Sequence, residues 1–388
     1  MLTANPSLDG ALLPVYAQLP VRPVRGRGSW LEDENGERWL DAYGGHAVAS
    51  TGHCHPVVVR AIAEQAAELL FYSTALAHPL RERLATELTA RCPHPLSKVF
   101  FCNSGAEANE NALHLARRLT GRSLCVSLQG GWHGRTVATL AVTDGEKYRA
   151  GARAAGIPLS RQIPVNDLHA LERALDADVA ALLVEPVQGM AGARDLSPDF
   201  LRGARALCDQ RNVLLIYDEV QCGVGRTGHF TAAESFAVVP DVLTMAKGLA
   251  SGFPMAAVVT TPRVAAHLSV GDLGSTFGGG PTACAAALAT LAVITDERLL
   301  DNVRLVSEQL RRGALALGPT RVVGVQGRGL LLGLRLQRPA AEVQQALLKK
   351  RVLTGTASDA QVLRLMPPLS FSTAEAELLL AALAEVLQ

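Results

Sequence analysis

The chain has 388 residues, enough for a large core and for more than one domain. Its 48% hydrophobic and 19% charged residues set disorder aside for most of the length. A formal net charge of +1, without a long basic run or aromatic–basic interleaving, argues against nucleic acid or an anionic membrane as the partner.

From the beginning, Met1 to Pro20 contains Asp9 and several prolines but no charged n-region, so it reads as neither signal nor transit peptide. Trp30 to Leu40 reads as a hairpin turning at Asn35-Gly36. Helical periodicity then covers Val57 to Phe71 and Leu80 to Ala90, and Lys98 to Cys102 is a short apolar strand. A helix over Ala106 to Leu119 precedes a strand over Ser123 to Leu128. Val179 to Val187 reads as a strand, Pro198 to Arg211 as a helix, and Val213 to Val220 and Val242 to Ala246 as strands. This alternation predicts an α/β fold with a mostly parallel sheet covered on both faces. After Pro281 an Ala-rich helical stretch runs to about Leu317. Strand-like pieces follow at Arg321 to Val325 and Leu330 to Leu336, then helices at Ala341 to Lys350 and from Thr373. Three parts are expected: an N-terminal segment (1–45), a large domain (46–281) and a smaller α+β C-terminal domain (282–388). No apolar run reaches membrane-spanning length. The seven cysteines are scattered and form no C-x-x-C pair, which fits reduced thiols and a cytoplasmic enzyme.

In open α/β sheets ligands bind beyond the carboxyl ends of the strands. Three apolar runs end there in polar groups: Val184 in Glu185, Tyr217 in Asp218, and Ala246 in Lys247. A carboxylate and a lysine on neighbouring strand ends make either a salt bridge or a cofactor site. In the second case the lysine forms a Schiff base with pyridoxal phosphate (PLP), and the aspartate pairs with the protonated pyridine nitrogen. Such a lysine must lose its proton, so its pKa should be depressed. Asn103-Ser104-Gly105-Ala106-Glu107, between a strand and a helix, offers a phosphate site, with Ser104 and Glu107 in capping-box spacing. Trp132-His133-Gly134-Arg135-Thr136 places a stacking ring and a carboxylate fork beside Gly130-Gly131. Ser275-Thr276-Phe277-Gly278 is a hydroxyl-bearing loop that touches phosphate or simply turns. His53-Cys54-His55-Pro56 lacks zinc-site spacing and reads as a turn before a helix. Ser104 has no G-x-S-x-G surroundings that would make it a nucleophile.

Taken in order, Phe101 to Glu110, His133-Gly134-Arg135-Thr136, Glu185-Pro186-Val187-Gln188-Gly189, Asp218-Glu219-Val220-Gln221, Gly223 to Gly228 and Lys247-Gly248 resemble the class III, acetylornithine/ornithine type of PLP aminotransferase. The resemblance runs from about Pro14 to the C-terminal helix. It implies the type I fold of PLP-dependent transferases. It implies that Lys247 carries PLP as a Schiff base and that Asp218 is the pyridinium partner. Ser104, Gly105 and Ala106 would cradle the phosphate, with Trp132 and Val220 on the two ring faces, Gln221 near the ring hydroxyl and Glu185 orienting the site. Thr276 would reach the phosphate from the partner subunit of a homodimer. For substrates, it assigns Arg135 and Tyr16 to the distal carboxylate, Ser275 to a substrate contact, and Arg364 to the α-carboxylate of glutamate and 2-oxoglutarate. The implied reaction moves a terminal amino group from N-acetylornithine or a similar acylated ω-amino acid to 2-oxoglutarate, giving a semialdehyde and glutamate. Ornithine, succinylornithine, lysine-pathway and 4-aminobutyrate enzymes share the scaffold. A PLP- or phosphate-binding protein without turnover is the reading from a different class.

One position departs from the resemblance. After Gly189 the family has a Glu that pairs with the arginine matching Arg364 while an ω-amine binds, and this chain has Met190. Met190 cannot mask a guanidinium, so either another carboxylate covers Arg364 or the donor presents its own carboxylate there. Met190→Glu should raise the ratio of kcat/KM for acetylornithine over glutamate. An unchanged ratio would contradict that expectation.

Overall fold

The computed structural model describes residues 11–13 and 15–388. Met1–Gly10 and Pro14 lie outside the described residues, and with them part of the leader reading and the start of the resemblance.

A seven-stranded sheet forms the centre. Across it the strands run Lys98–Cys102, Ala256–Thr260, Val242–Met245, Leu214–Asp218, Val179–Val184, Leu124–Leu128 and Arg161–Ile163. The last five are mutually parallel, while Ala256–Thr260 is antiparallel to both neighbours. Every residue of Val179–Val184 and of Leu214–Asp218 is buried, so these strands read as unbroken apolar runs rather than as alternating ones. Helix Gly105–Thr120 covers one face through Ala108, Ala112, Leu115 and Ala116, spaced as one helical stripe.

Two expected strands end early. Val179–Val184 stops before Glu185, and Leu214–Asp218 begins and ends inside the run expected. At both carboxyl ends the chain leaves the ladder and a carboxylate is released into the space above the sheet. The sequence reading did not include the Ala256–Thr260 and Arg161–Ile163 strands, nor the helices Val137–Val142, Glu146–Ala154 and Leu168–Ala174. These are short, and a five-residue buried strand shows no alternation to find.

In the C-terminal part, helices Pro281–Asp296 and Leu299–Ala316 precede a four-stranded antiparallel sheet in the order Val322–Arg328, Leu331–Leu336, Val362–Leu365, Gly355–Thr356. The N-terminal hairpin forms, with Trp30 opposite Leu40. Its turn is wider than Asn35-Gly36 alone, because the Asp33 carboxylate accepts the amides of Asn35 and Glu37. Its second strand, Arg38–Asp41, pairs in parallel with Val352–Leu353 and so ties the beginning of the fold to its end.

Candidate active site

Glu185, Asp218 and Lys247 stand at the carboxyl ends of three adjacent parallel strands, with Asp218 in register with Thr244. Lys247 has φ +47, a left-handed conformation that costs a non-glycine residue roughly 1–3 kcal/mol. The strain turns the chain out of the strand into the short helical turn Lys247–Ala250. Desolvation pulls the Lys247 pKa below its ordinary value, opposed by the charges of Asp218 and Glu185.

Asp218 is buried and held on three sides. Its Oδ2 accepts from Asn109 Nδ2 at 2.7 Å and lies 2.8 Å from His133 Nδ1, and its Oδ1 accepts from the Val220 amide at 3.0 Å. Asn109 also donates to the His133 carbonyl and accepts from the Thr244 hydroxyl, so one buried amide fixes the helix, the 130s loop and the sheet together. His133 Nε2 is buried without a hydrogen-bond partner. Glu185 accepts from the amides of Trp132 (2.8 Å) and Gly189 (3.1 Å), stapling two loops across the cavity. Burial pushes its pKa up to about 7, against the pull of His133.

Above these groups lies a cavity of about 630 Å³. Ser104 caps the 16-residue helix Gly105–Thr120, its hydroxyl accepting from the Glu107 amide. The expected reciprocal bond goes elsewhere: Glu107 accepts from the backbone and side chain of Asn103 rather than from the Ser104 amide. The Asn103 side chain sets this outcome by offering a second donor to the same carboxylate. A Cβ on Gly105 would lie 2.6 Å from Val220 Cγ1, so only glycine lets this turn sit so close to the sheet. A helix N-terminus, a buried carboxylate and a lysine with a lowered pKa around one cavity fit a phosphorylated pyridine aldehyde, the group the resemblance implies.

Ser104, Gly105, Ala106, Trp132, Glu185, Asp218, Val220, Gln221 and Lys247 all line this cavity, as do Tyr16 and Arg135 at its mouth. The Arg135 guanidinium lies 6.0 Å from the Tyr16 ring, 5.1 Å from Trp132 and 5.7 Å from Tyr148. Among the described residues it forms no ion pair, which leaves its fork open to an anion. Arg364 is buried and donates to the Thr356 carbonyl, the Gly189 carbonyl and the Tyr43 hydroxyl. Ser275 bonds to Asn103 and Glu107, and Thr276 is exposed; neither lines the cavity of its own chain. Sequence reasoning assigned no role to Asn109, His133, Tyr148, Tyr43 or His46. Asn109 was visible only as a polar residue on the buried stripe of a helix, and Tyr148 sits on a helix the periodicity did not show. His53 bonds Asp41 and His55 caps helix Pro56–Glu68, so the His-Cys-His run is structural. No cluster of metal-ligating side chains occurs among the described residues.

The profile of the family described as aminotransferase class-III matches residues 14–387. The chain belongs to this family. An acetylornithine aminotransferase of Nitrosomonas europaea is 41% identical, with 94% of each chain covered. One of Streptomyces coelicolor is 43% identical over 98% of this chain and 94% of its own. Among solved structures, the ornithine aminotransferase of Toxoplasma gondii superposes with a TM-score of 0.89 at 31% identity, covering 97% of this chain and 92% of its own. An amine transaminase from an uncultivated Pseudomonas species, solved in its PLP-bound form, gives 0.86 at 29% identity, covering 97% and 98%. The large parallel sheet and α/β architecture are those of class-III aminotransferases.

Asn109→Ala removes one of the buried donors to Asp218 and the side-chain donor to the His133 carbonyl. It should lower stability by about 1–3 kcal/mol in urea denaturation, and an unchanged midpoint would contradict the pinning role.

Proposed function

We propose that this class-III aminotransferase uses PLP on Lys247 to move the terminal amino group of N-acetylornithine to 2-oxoglutarate, giving a semialdehyde and glutamate. The observation that carries the reading is the pair of arginines: Arg135 at the mouth of the cavity, and Arg364 buried beside it, bonded to the Gly189 carbonyl and the Tyr43 hydroxyl. They are forks for the two carboxylates of a five-carbon dicarboxylate, and Arg135 alone suits the far carboxylate of an ω-amino donor. Relatives named acetylornithine aminotransferase, more than 40% identical over nearly the whole chain, support the choice of donor.

PLP supplies an aldehyde for capturing amines and a pyridinium ring that accepts the electron pair left when a proton departs the amine-bearing carbon. Lys247, its pKa lowered by desolvation, would hold the aldehyde at rest and afterwards carry that proton as base and acid. Asp218, immobilised by Asn109 and His133, would pair with the ring nitrogen. Ser104, Gly105 and Ala106 would receive the phosphate at the helix N-terminus. Val220 and Trp132, which line the cavity, would hold the ring and Gln221 its hydroxyl, while Glu185 holds the Trp132 loop in place.

The working form is a homodimer, in the cytoplasm. Leu70, Phe71, Tyr72, Leu76 and Phe277 are exposed, and Phe71 and Phe277 touch with ring centroids 5.0 Å apart. An apolar patch of this kind marks a protein interface. Thr276 is exposed beside Phe277 and outside its own cavity, which supports the reading that it and Ser275 serve the partner's phosphate and substrate. Among the described residues no helix is long and apolar enough to cross a membrane.

A spectroscopic half-reaction screen tests the reading. The yellow protein should bleach with N-acetylornithine and with glutamate, faster than with ornithine, 4-aminobutyrate or lysine derivatives; no bleaching with N-acetylornithine would refute it. Arg135→Ala should lower kcat/KM for donors with a distal carboxylate by roughly tenfold to a hundredfold, the worth of a charged hydrogen-bond pair, and leave simple alkylamines unaffected. Equal losses for both classes would contradict its role. Phe277→Asp should sediment as a monomer and lose transamination; a fully active monomer would rule out shared sites.

A further inference from the structure

Arg364 carries five N–H donors, and three of them have partners, none of which is a carboxylate: the carbonyls of Thr356 and Gly189 and the hydroxyl of Tyr43 at 2.8 Å. Among the described residues it forms no ion pair. Met190, next to Gly189, presents a thioether to the cavity. The Tyr43 hydroxyl is itself fixed from behind, 2.9 Å from His46 Nδ1. The Tyr43 hydroxyl thus accepts from Arg364 and is paired at the same time with the His46 imidazole. Desolvation, with the charges of Arg364 and Lys247, holds His46 below its ordinary pKa.

The backbone around this pair is unusual. Gly44, Gly45, His46 and Ala47 are four successive left-handed residues, with φ of 59, 56, 66 and 64°. For L-residues this conformation ordinarily occurs singly, and His46 and Ala47 add strain of a kind that persists only where surrounding contacts dictate it. Here they do. The Asp41 carboxylate accepts the amides of Tyr43 and Gly44 and bonds His53, and the turn closes from the Ala47 amide to the Tyr43 carbonyl. The Tyr43 ring lies flush on Gly355, where a Cβ would come within 1.9 Å of Cε2. The strained turn therefore places His46 on the cavity rim, beside the Tyr43 hydroxyl.

We propose that the Tyr43–His46 pair is the exchangeable cover of Arg364: an uncharged mask that the α-carboxylate of glutamate displaces and that an ω-amino donor leaves in place. This rests on the proposed function and adds the element that sets preference between the two donors of the reaction. A neutral hydroxyl holds a guanidinium less firmly than a carboxylate would, so the exchange needs no separation of an ion pair.

Tyr43→Phe tests it, because the ring, its packing on Gly355 and its contact with Arg364 remain while the mask is lost. Two readouts apply to the holoenzyme. Glutarate, which has both carboxylates and no amine, should bind about fivefold more tightly to the variant by calorimetry. In single half-reactions, the ratio of kcat/KM for glutamate over N-acetylornithine should rise by a similar factor, mostly through KM. His46→Phe should move both in the same direction by a smaller amount, since it removes only the rear anchor. Unchanged or weaker glutarate binding in Tyr43→Phe would overturn the mask, whatever the turnover. Wild-type protein that transaminates neither donor would instead overturn the proposed function, while glutarate binding would still report on Tyr43.

Discussion

Everything at the candidate site is arranged around one buried carboxylate. Asp218 ends a strand whose residues are all buried, and no solvent is available to it. A charge in such a place persists only when donors surround it. Asn109 comes from a helix, His133 from a loop and Val220 from the following turn, and each must be where it is to reach the carboxylate. The same three segments carry the other working parts. The helix bearing Asn109 begins at the phosphate turn, the loop bearing His133 also holds Trp132 and Arg135, and Val220 packs on Gly105. Satisfying Asp218 therefore assembles the cavity around it.

The two arginines sit in different surroundings. Arg135 is exposed among three aromatic rings, with an open face. Arg364 is buried, and burial alone lowers its pKa, so it needs hydrogen-bond partners when no substrate is present. Backbone carbonyls and Tyr43 supply them without adding a negative charge to the pocket. The expected second carboxylate is not what covers Arg364 in the absence of a Glu at 190: among the described residues, two backbone carbonyls and a phenol hydroxyl do.

Much of this was legible in the sequence because long buried strands and amphipathic helices advertise themselves. The runs ending in Glu185, Asp218 and Lys247 located the sheet edge that bounds the cavity, and the strand-to-helix turn at Ser104 located the helix N-terminus that faces it. What stayed hidden depends on contacts between residues distant in sequence. Asn109 and Asp218 are 109 positions apart, and Tyr43 and Arg364 are 321 apart. Nothing local marks either pair. The strand Ala256–Thr260 escaped because five buried residues have no period, and the turn at Gly44–Ala47 because two of its left-handed residues are not glycine. The capping spacing at Ser104 was read correctly, but Asn103 outcompeted the backbone amide for Glu107.

The central claim is that Lys247, strained and desolvated at the edge of the sheet, is the residue that holds the cofactor. Borohydride reduction of the purified yellow protein, followed by proteolysis and mass spectrometry, addresses it directly. The account predicts a phosphopyridoxyl mass on the peptide containing Lys247 and on no other lysine. A modification elsewhere, or none on a protein that remains yellow, would contradict it.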